Sequence, residues 1–397
     1  MKYIVLVPDG MADYPVPEIE GKTPLEVAKI PNMNYFARNG RAGLVGNIPE
    51  RMEPGSDIAH LSLLGYDPRK YYTGRGPLEA ANMGIKLDEN EVAFRCNLIT
   101  ENDGIIADYS AGHISTQEAA SLIKVLNKKL GSKFVKFFPG VSYRHLVVIR
   151  HAQGINGLSA QCVPPHNVVG KAVDDCLPKG PGDEILKKIM DSSKSILGDN
   201  NINHIRIDLK ENPANMVWLW GQGITPQLDS FKDKFGVSGS IISAVDLIKG
   251  IGRLIGLTVI DVPGATGYVD TNYEGKVTYG LDSLDEKDFV FIHVEAPDEA
   301  GHEGNLKLKI SAIEAFDYHI VGAVRKYCEE NRDTKVLIVP DHATPIVKRT
   351  HTRDCVPFIM SGKNIVKDEI EKFSERTAKY SSWKVPEGHK LMEQFID

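Results

Sequence analysis

The sequence predicts an α/β fold, a mainly parallel sheet flanked by helices, interrupted by an inserted α+β unit. The runs "KYIVLV" (2–7), "DFVFIHVEAPD" (288–298) and "KVLIVPDH" (335–342) read as strands buried on both faces of a parallel sheet. Each ends at or beside an acidic residue, Asp9, Asp298 and Asp341. Between these outer parts the pattern changes to strands and helices of a separate style, which reads as an insertion into one α/β domain.

In chain order, the first strand ends in "PDG". Thr23 and Pro24 then offer an N-cap and a first-turn proline. "PLEVAK" and "PNMNYFARNG" are helical pieces divided at Pro31, the second closed by Gly40. Residues 56–65 form a short amphipathic helix with Ile58, Leu61 and Leu64 at helical spacing. Ser56 stands at its N-cap position and His60 lies one turn inside.

From about residue 91, "VAFRCNLI", "FVKFF", "YRHLVVIR" and "NMVWLW" read as strands, with helices near 115–130 and 181–197. "ISAVDLIKGIGRLIG" (242–256) predicts a helix ended by Gly256. "LTVIDVPGATG" (257–267) predicts a strand running into a Gly-rich turn, and residues 305–330 a long helix. The cuts fall near 92 and 258. Residues 1–91 and 258–397 make a discontinuous core, and 92–257 the insertion.

Composition excludes some classes of function. The chain has 397 residues, 42% hydrophobic and 25% charged, with a net charge of -6. That charge predicts no general attraction to nucleic acid or anionic membrane. An anionic substrate would need local Lys, Arg or metal. The first apolar run is stopped by Pro8, too early for a signal peptide, and no run reaches membrane-spanning length. Cys96, Cys162, Cys176, Cys328 and Cys355 are odd in number and lack CxxC spacing, which fits reduced thiols in a cytoplasmic protein.

In α/β domains ligands gather beyond the carboxyl ends of the strands. Here those ends carry Asp9, then Asp298 with His302 four residues on, then Asp341 and His342 with His351 in the following loop. Each alone is ordinary, since an Asp at a strand end is usually a turn former. Together they suggest oxygen and nitrogen donors for Zn²⁺ or Mn²⁺, with Mg²⁺ less comfortable where His is frequent. Ser56 alone is most simply a helix cap. Near a cation its hydroxyl pKa would fall, making it a nucleophile without a His base, at a helix end suited to phosphate.

Several of these segments resemble one family. "TPLEVAKIPNMNYFARNG" resembles the segment after the first metal-binding Asp in the alkaline-phosphatase superfamily. "GSDIAHLSLLGYDP" resembles the nucleophile segment of cofactor-independent phosphoglycerate mutases. "PDEAGHEG" (297–304) is similar to their metal motif, "VPDHATP" to their Asp-His segment, and "ISAVDLIKGIG" and "VPGATG" to their archaeal-type branch. The resemblance implies an alkaline-phosphatase-like core and two divalent metal ions, Mn²⁺ first, with Zn²⁺, Co²⁺ or Mg²⁺ as other candidates. It implies that Asp9, Ser56, Asp341 and His342 hold one ion and that Asp298, His302 and His351 hold the other.

The implied reaction interconverts 3-phosphoglycerate and 2-phosphoglycerate through a phosphoserine on Ser56, without bisphosphoglycerate. The insertion would then bind substrate and act as a lid. Arg95, Arg144 and Lys249 are candidate substrate cations. Arg75, between two glycines in "TGRGPLEAANMGI", is another. His60, Asp108 and His113 are candidates for positioning or protonating the glycerate hydroxyls. The alternatives are a phosphomonoesterase, or a homoserine-kinase-like phosphotransferase of the same superfamily. A sulfatase is disfavoured because "PGSDIAH" lacks its Cys/Ser-x-Pro-x-Arg pattern. A non-catalytic metal-stabilised binding protein has no use for a Ser among the ligands.

Overall fold

The β-branched and aromatic runs do assemble side by side. The computed structural model describes residues 1–397 and divides into two compact units, Met1–Tyr72 with Gln227–Asp397, and Thr73–Pro226.

The first unit is built on an eight-stranded sheet. Its order is Lys384–Val385, Gly40–Val45, Val356–Gly362, Thr334–Ile338, Lys2–Pro8, Phe289–Val294, Gly239–Ile242 and Thr258–Val259. Pairing is parallel from Thr334–Ile338 through Thr258–Val259. The Val356–Gly362 strand is antiparallel to both its neighbours. Ile4, Val5, Leu6 and Val7 are all fully buried, because helices cover both faces of a parallel sheet. Ile4, Leu6, Val290, Ile292, Val336 and Ile338 share one core with Phe36, Phe316 and Ile320.

The second unit is an antiparallel sheet around the long Glu91–Asn102 strand. Arg144–Arg150, Met216–Gly223 and Ile105–Asp108 pair with that strand, and Val135–Val141 pairs with Arg144–Arg150. The helices Thr116–Leu130 and Asp183–Gly198 pack on it and on each other. No helix in the chain is long and apolar enough to cross a membrane.

The α/β class with a mainly parallel sheet is as expected from sequence, but the boundaries differ. The units divide at Tyr72/Thr73 and Pro226/Gln227, not near 92 and 258. Gly239–Ile242 pairs with Phe289–Val294 and extends the core sheet, carrying the following helix with it. The helix Arg75–Asn82 packs on Glu91–Asn102 and so joins the inserted unit.

Some elements also differ locally. The strand expected to end at Asp298 stops at Val294, and Asp298 lies in the first turn of the helix Ala296–Glu303, which Pro297 helps to start. The 242–256 helix is shorter, Asp246–Leu254, because Ile242 ends a strand. Only Thr258–Val259 of the next segment is strand. Gly40 opens a strand instead of closing a helix. The long helix contains a π-helical stretch, Phe316–Val321, where Asp317 accepts the Met33 amide at 2.6 Å and the Asn32 amide at 3.1 Å. That carboxylate supplies acceptors to the first turn of Pro31–Arg38, a helix whose N-cap, Ile30, has no side-chain acceptor.

Candidate metal centre and nucleophile

Parallel pairing puts strand carboxyl ends along one sheet edge, so residues distant in sequence meet there. The register Pro8↔Val294 continues into a bond from the Asp9 amide to the Val294 carbonyl at 2.9 Å. Asp341 Oδ1 accepts the amides of Gly10 and His342 at 3.1 and 2.8 Å, which ties the first strand's turn to the Thr334–Ile338 strand's turn. Gly10 has φ +61, and a Cβ there would run into Asp298 Oδ1 and Thr344 Oγ1. Glycine allows both the turn and this close approach.

Asp9, Asp341 and His342 each present a ligand atom within 4.8 Å of the others, as do Asp298, His342 and His351. His342 Nε2 lies 3.1 Å from Asp341 Oδ2 and 3.6 Å from Asp9 Oδ1. Both carboxylate oxygens are buried and make no hydrogen bond. Leaving such oxygens bare costs free energy unless a cation completes them. The donor set therefore fits a divalent metal.

His302 completes the second cluster. Asp298 and His302 lie one turn apart on the helix Ala296–Glu303, with Nε2 3.2 Å from Asp298 Oδ2. His302 Nε2 is also 2.9 Å from His351 Nε2, and His351 Nε2 is 3.6 Å from Asp298 Oδ1. His302 Nδ1 donates to the Arg349 carbonyl at 3.0 Å, which leaves the Nε2 lone pair of the neutral ring facing the cluster. Asp298 Oδ1 also accepts from the Thr344 hydroxyl.

Ser56 reaches this centre from the helix Ser56–Leu63. It is the first helical residue, Gly55 holding the cap position, and no side chain caps the helix from there. The expected capping role is therefore absent. Asp57 Oδ1 accepts the Ile58 amide at 3.1 Å, while Ser56 Oγ lies 3.2 Å from His342 Nε2.

Charge and burial pull the group in opposite directions. Burial, then the neighbouring Asp341 and Asp298, push Asp9 well above the usual carboxylate range. Burial also opposes ionisation of Asp341, but His342 and His60 outweigh it and hold that carboxyl low. Burial lowers His342 to about 4, so it stays a neutral donor. The hydrogen bond to Asp298 leads in raising His302 to about 9. Packed acids with unmatched acceptors beside imidazoles are what a cation would satisfy.

His60 lies behind the cluster, its Nδ1 3.5 Å from Asp341 Oδ2. Its ring is fully buried, edge-on to Phe291 and His293 at 5.8 and 4.9 Å between centroids. Its Nδ1 donates to the Ser56 carbonyl at 2.7 Å, one turn back on the same helix. Lys249 belongs to the first unit, on Asp246–Leu254, where its Nζ pairs with Asp261 Oδ1 at 2.7 Å.

The remaining candidates lie in the second unit. Arg95 is buried, 4.6 Å over the Trp220 ring and 3.5 Å from Glu79 Oε1, with Arg75 5.7 Å over the same ring. Rings run in edge contact from His113 through Tyr143, Tyr109 and His166 to Trp220. Arg144 lies 5.8 Å over Tyr143. Thus Arg75, Arg95, Arg144 and His113 border one aromatic row. Asp108 is used differently, accepting from the Ser110 amide and hydroxyl, both at 2.7 Å, and from Asn212 at 2.8 Å. It shapes its own turn and is held ionised there, burial being outweighed by these bonds.

Sequence reasoning missed His293, Thr344 and His166. His293 sits inside an apolar strand run, where its periodicity carries no sign of chemistry. Thr344 lies in the "DHATP" segment already singled out, two residues past His342. His166 became visible only through Trp220.

A family model described as 2,3-bisphosphoglycerate-independent phosphoglycerate mutase matches residues 37–203. The chain is 48% identical over 397 residues to the 2,3-bisphosphoglycerate-independent phosphoglycerate mutase of Methanothrix thermoacetophila, covering 100% of both chains. It resembles the solved structure of the PH0037 protein from Pyrococcus horikoshii, with a TM-score of 0.85 at 28% identity, over 100% of this chain and 96% of that one. It also resembles a cofactor-independent phosphoglycerate mutase from Thermoplasma acidophilum, with a TM-score of 0.68 at 26% identity, over 100% of this chain and 99% of that one.

Proposed function

The chain belongs to the 2,3-bisphosphoglycerate-independent phosphoglycerate mutase family, and we propose that it interconverts 3-phosphoglycerate and 2-phosphoglycerate by phosphoryl transfer through Ser56. The observation that carries the assignment of Ser56 is its Oγ, 3.2 Å from His342 Nε2 and free of any capping bond.

Asp9, Ser56, Asp341 and His342 would hold one divalent cation, and Asp298, His302 and His351 the other, with Mn²⁺ the first candidate. Such a pair supplies charge neutralisation to phosphoryl oxygens and lowers the pKa of a serine hydroxyl. The chain's own residues do the rest. Ser56 Oγ forms a bond to phosphorus as the bond from phosphorus to the substrate's hydroxyl oxygen breaks. The serine proton ends on that departing oxygen. Bound glycerate then shifts and its other hydroxyl takes the phosphoryl group back, returning the proton to Ser56.

The inserted unit is the substrate-binding unit in this reading. Arg75, Arg95 and Arg144 supply planar cations to the carboxylate and phosphate. His113 is a candidate for contact with the glycerate hydroxyls. Asp108 orders the turn that carries it. The enzyme acts on a small soluble anion in the cytoplasm.

The test is conversion of 3-phosphoglycerate coupled to enolase, with Mn²⁺ present and bisphosphoglycerate absent. Formation of 2-phosphoglycerate is expected. Steady release of inorganic phosphate in its place would overturn the mutase reading and leave a phosphomonoesterase.

A further inference from the structure

Three neighbouring parallel strands end in Ser243, His293 and Asp9. Gly239–Ile242 pairs with Phe289–Val294, which pairs with Lys2–Pro8, and the registers Ile242↔Ile292 and Val7↔His293 align their ends. The side chains form a continuous line. Ser243 Oγ accepts the Val245 amide at 2.9 Å and lies 3.0 Å from His293 Nδ1, while His293 Nε2 lies 2.8 Å from Asp9 Oδ2. The ring of His293 is fully buried, and the Lys276 ammonium donates to the His293 carbonyl at 3.2 Å.

The direction of each bond follows from its partners. With Asp9 ionised, as a bound cation would hold it, its oxygen only accepts, and His293 Nε2 carries the proton. The neutral ring then has an acceptor at Nδ1, and the Ser243 hydroxyl donates to it. The Val245 amide occupies a Ser243 lone pair and turns the hydroxyl proton toward the ring. Asp9 Oδ2 is thereby occupied, while Asp9 Oδ1 makes no hydrogen bond and lies 3.6 Å from His342 Nε2.

We infer that Ser243 and His293 are positioning residues that hold the Asp9 carboxylate with Oδ1 left free toward His342, where a cation would be held. The inference rests on the metal reading above. Ser243 supports the Nε2–H tautomer of His293, His293 fixes the rotation of the carboxylate, and neither touches the reacting atoms. Partners of this kind behind a metal ligand typically contribute 10- to 100-fold in affinity, because they remove orientations that would otherwise compete.

The consequence is selective. The Asp9–Asp341–His342 cluster depends on this line, and the Asp298–His302–His351 cluster does not. Mn²⁺ titration of the full chain by calorimetry, with circular dichroism to follow folding, separates the two. Ser243→Ala should weaken one Mn²⁺ site roughly tenfold or more, leave the other unchanged, and keep the fold. Ser243→Thr, which keeps a hydroxyl, should bind both ions as the parent chain does. His293→Asn is a second probe of the line, and the same single site should weaken. The weakening should persist in an Asp298→Asn background and vanish in an Asp341→Asn background.

Unchanged affinity in Ser243→Ala, equal weakening of both sites, or a threonine variant as weak as the alanine variant would overturn the inference. A parent chain that binds no Mn²⁺ would overturn the metal reading, and this inference with it.

Discussion

Ser56 Oγ stands 3.2 Å from His342 Nε2, although the two residues are 286 positions apart. One opens a helix and the other follows a strand of the central sheet, so their contact is a product of strand order. It puts a hydroxyl beside an imidazole shared by both clusters of acids and imidazoles. Ser56→Ala should therefore abolish turnover in the enolase-coupled assay while calorimetry still finds both cations bound. Substantial residual mutase activity would remove Ser56 as nucleophile.

Cation binding should release protons. The carboxylate of Asp298 raises His302 to about 9, so in the metal-free protein the ring is protonated at neutral pH. A cation must displace that proton. Mn²⁺ affinity should rise with pH up to about 9. Titrations in buffers of different ionisation enthalpy read the proton directly. A pH-independent affinity below that value would count against a protonated His302 in the metal-free site.

Lys309 and Asp13 form an ion pair at 2.7 Å whose side chains are both completely buried, the ammonium also donating to the Thr344 carbonyl at 2.8 Å. Lys309→Met leaves the buried Asp13 without its cation. Loss of one partner from a buried pair costs about 3–5 kcal/mol, visible as a lower urea midpoint. Asp13→Asn combined with Lys309→Met should recover part of the loss, because no bare charge remains.

Glu375 gives a stability term of known sign. Burial raises its carboxyl from 4.5 to about 7, with Thr23 Oγ1 at 2.6 Å and the Asp13 amide at 3.1 Å. The folded state binds the proton more tightly than the unfolded chain. The resulting stabilisation is full below about pH 4.5 and disappears as pH rises through about 7, amounting to at most about 3 kcal/mol. Glu375→Gln should flatten the stability profile over that window. Denaturant unfolding at several pH values measures it, and an unchanged profile would count against the shift.

Arg95 should resist replacement by lysine. Its guanidinium stacks 4.6 Å over Trp220 and is buried beside Glu79, a fit for a planar cation rather than a point charge. Charge-assisted hydrogen bonds contribute about 1.5–3 kcal/mol, so Arg95→Lys should raise KM for 3-phosphoglycerate roughly 10- to 100-fold, with thermal stability used to check the fold. An unchanged KM would make Arg95 a packing residue.

The sequence by itself determined the α/β class, the strands leading to Asp9 and Asp341, the Asp298–His302 spacing and the candidacy of Ser56. These are local properties, since apolar runs, helical spacing and turn residues act over a few positions. The tertiary structure alone decided the rest. It placed Gly239–Ile242 in the core sheet, moved both domain boundaries, paired Lys249 with Asp261, and enclosed His60 against Phe291 and His293. It also set His293 between Ser243 and Asp9. Which strand lies beside which is settled by packing of the whole sheet, and a side chain's burial, partner and tautomer follow from its neighbours in space.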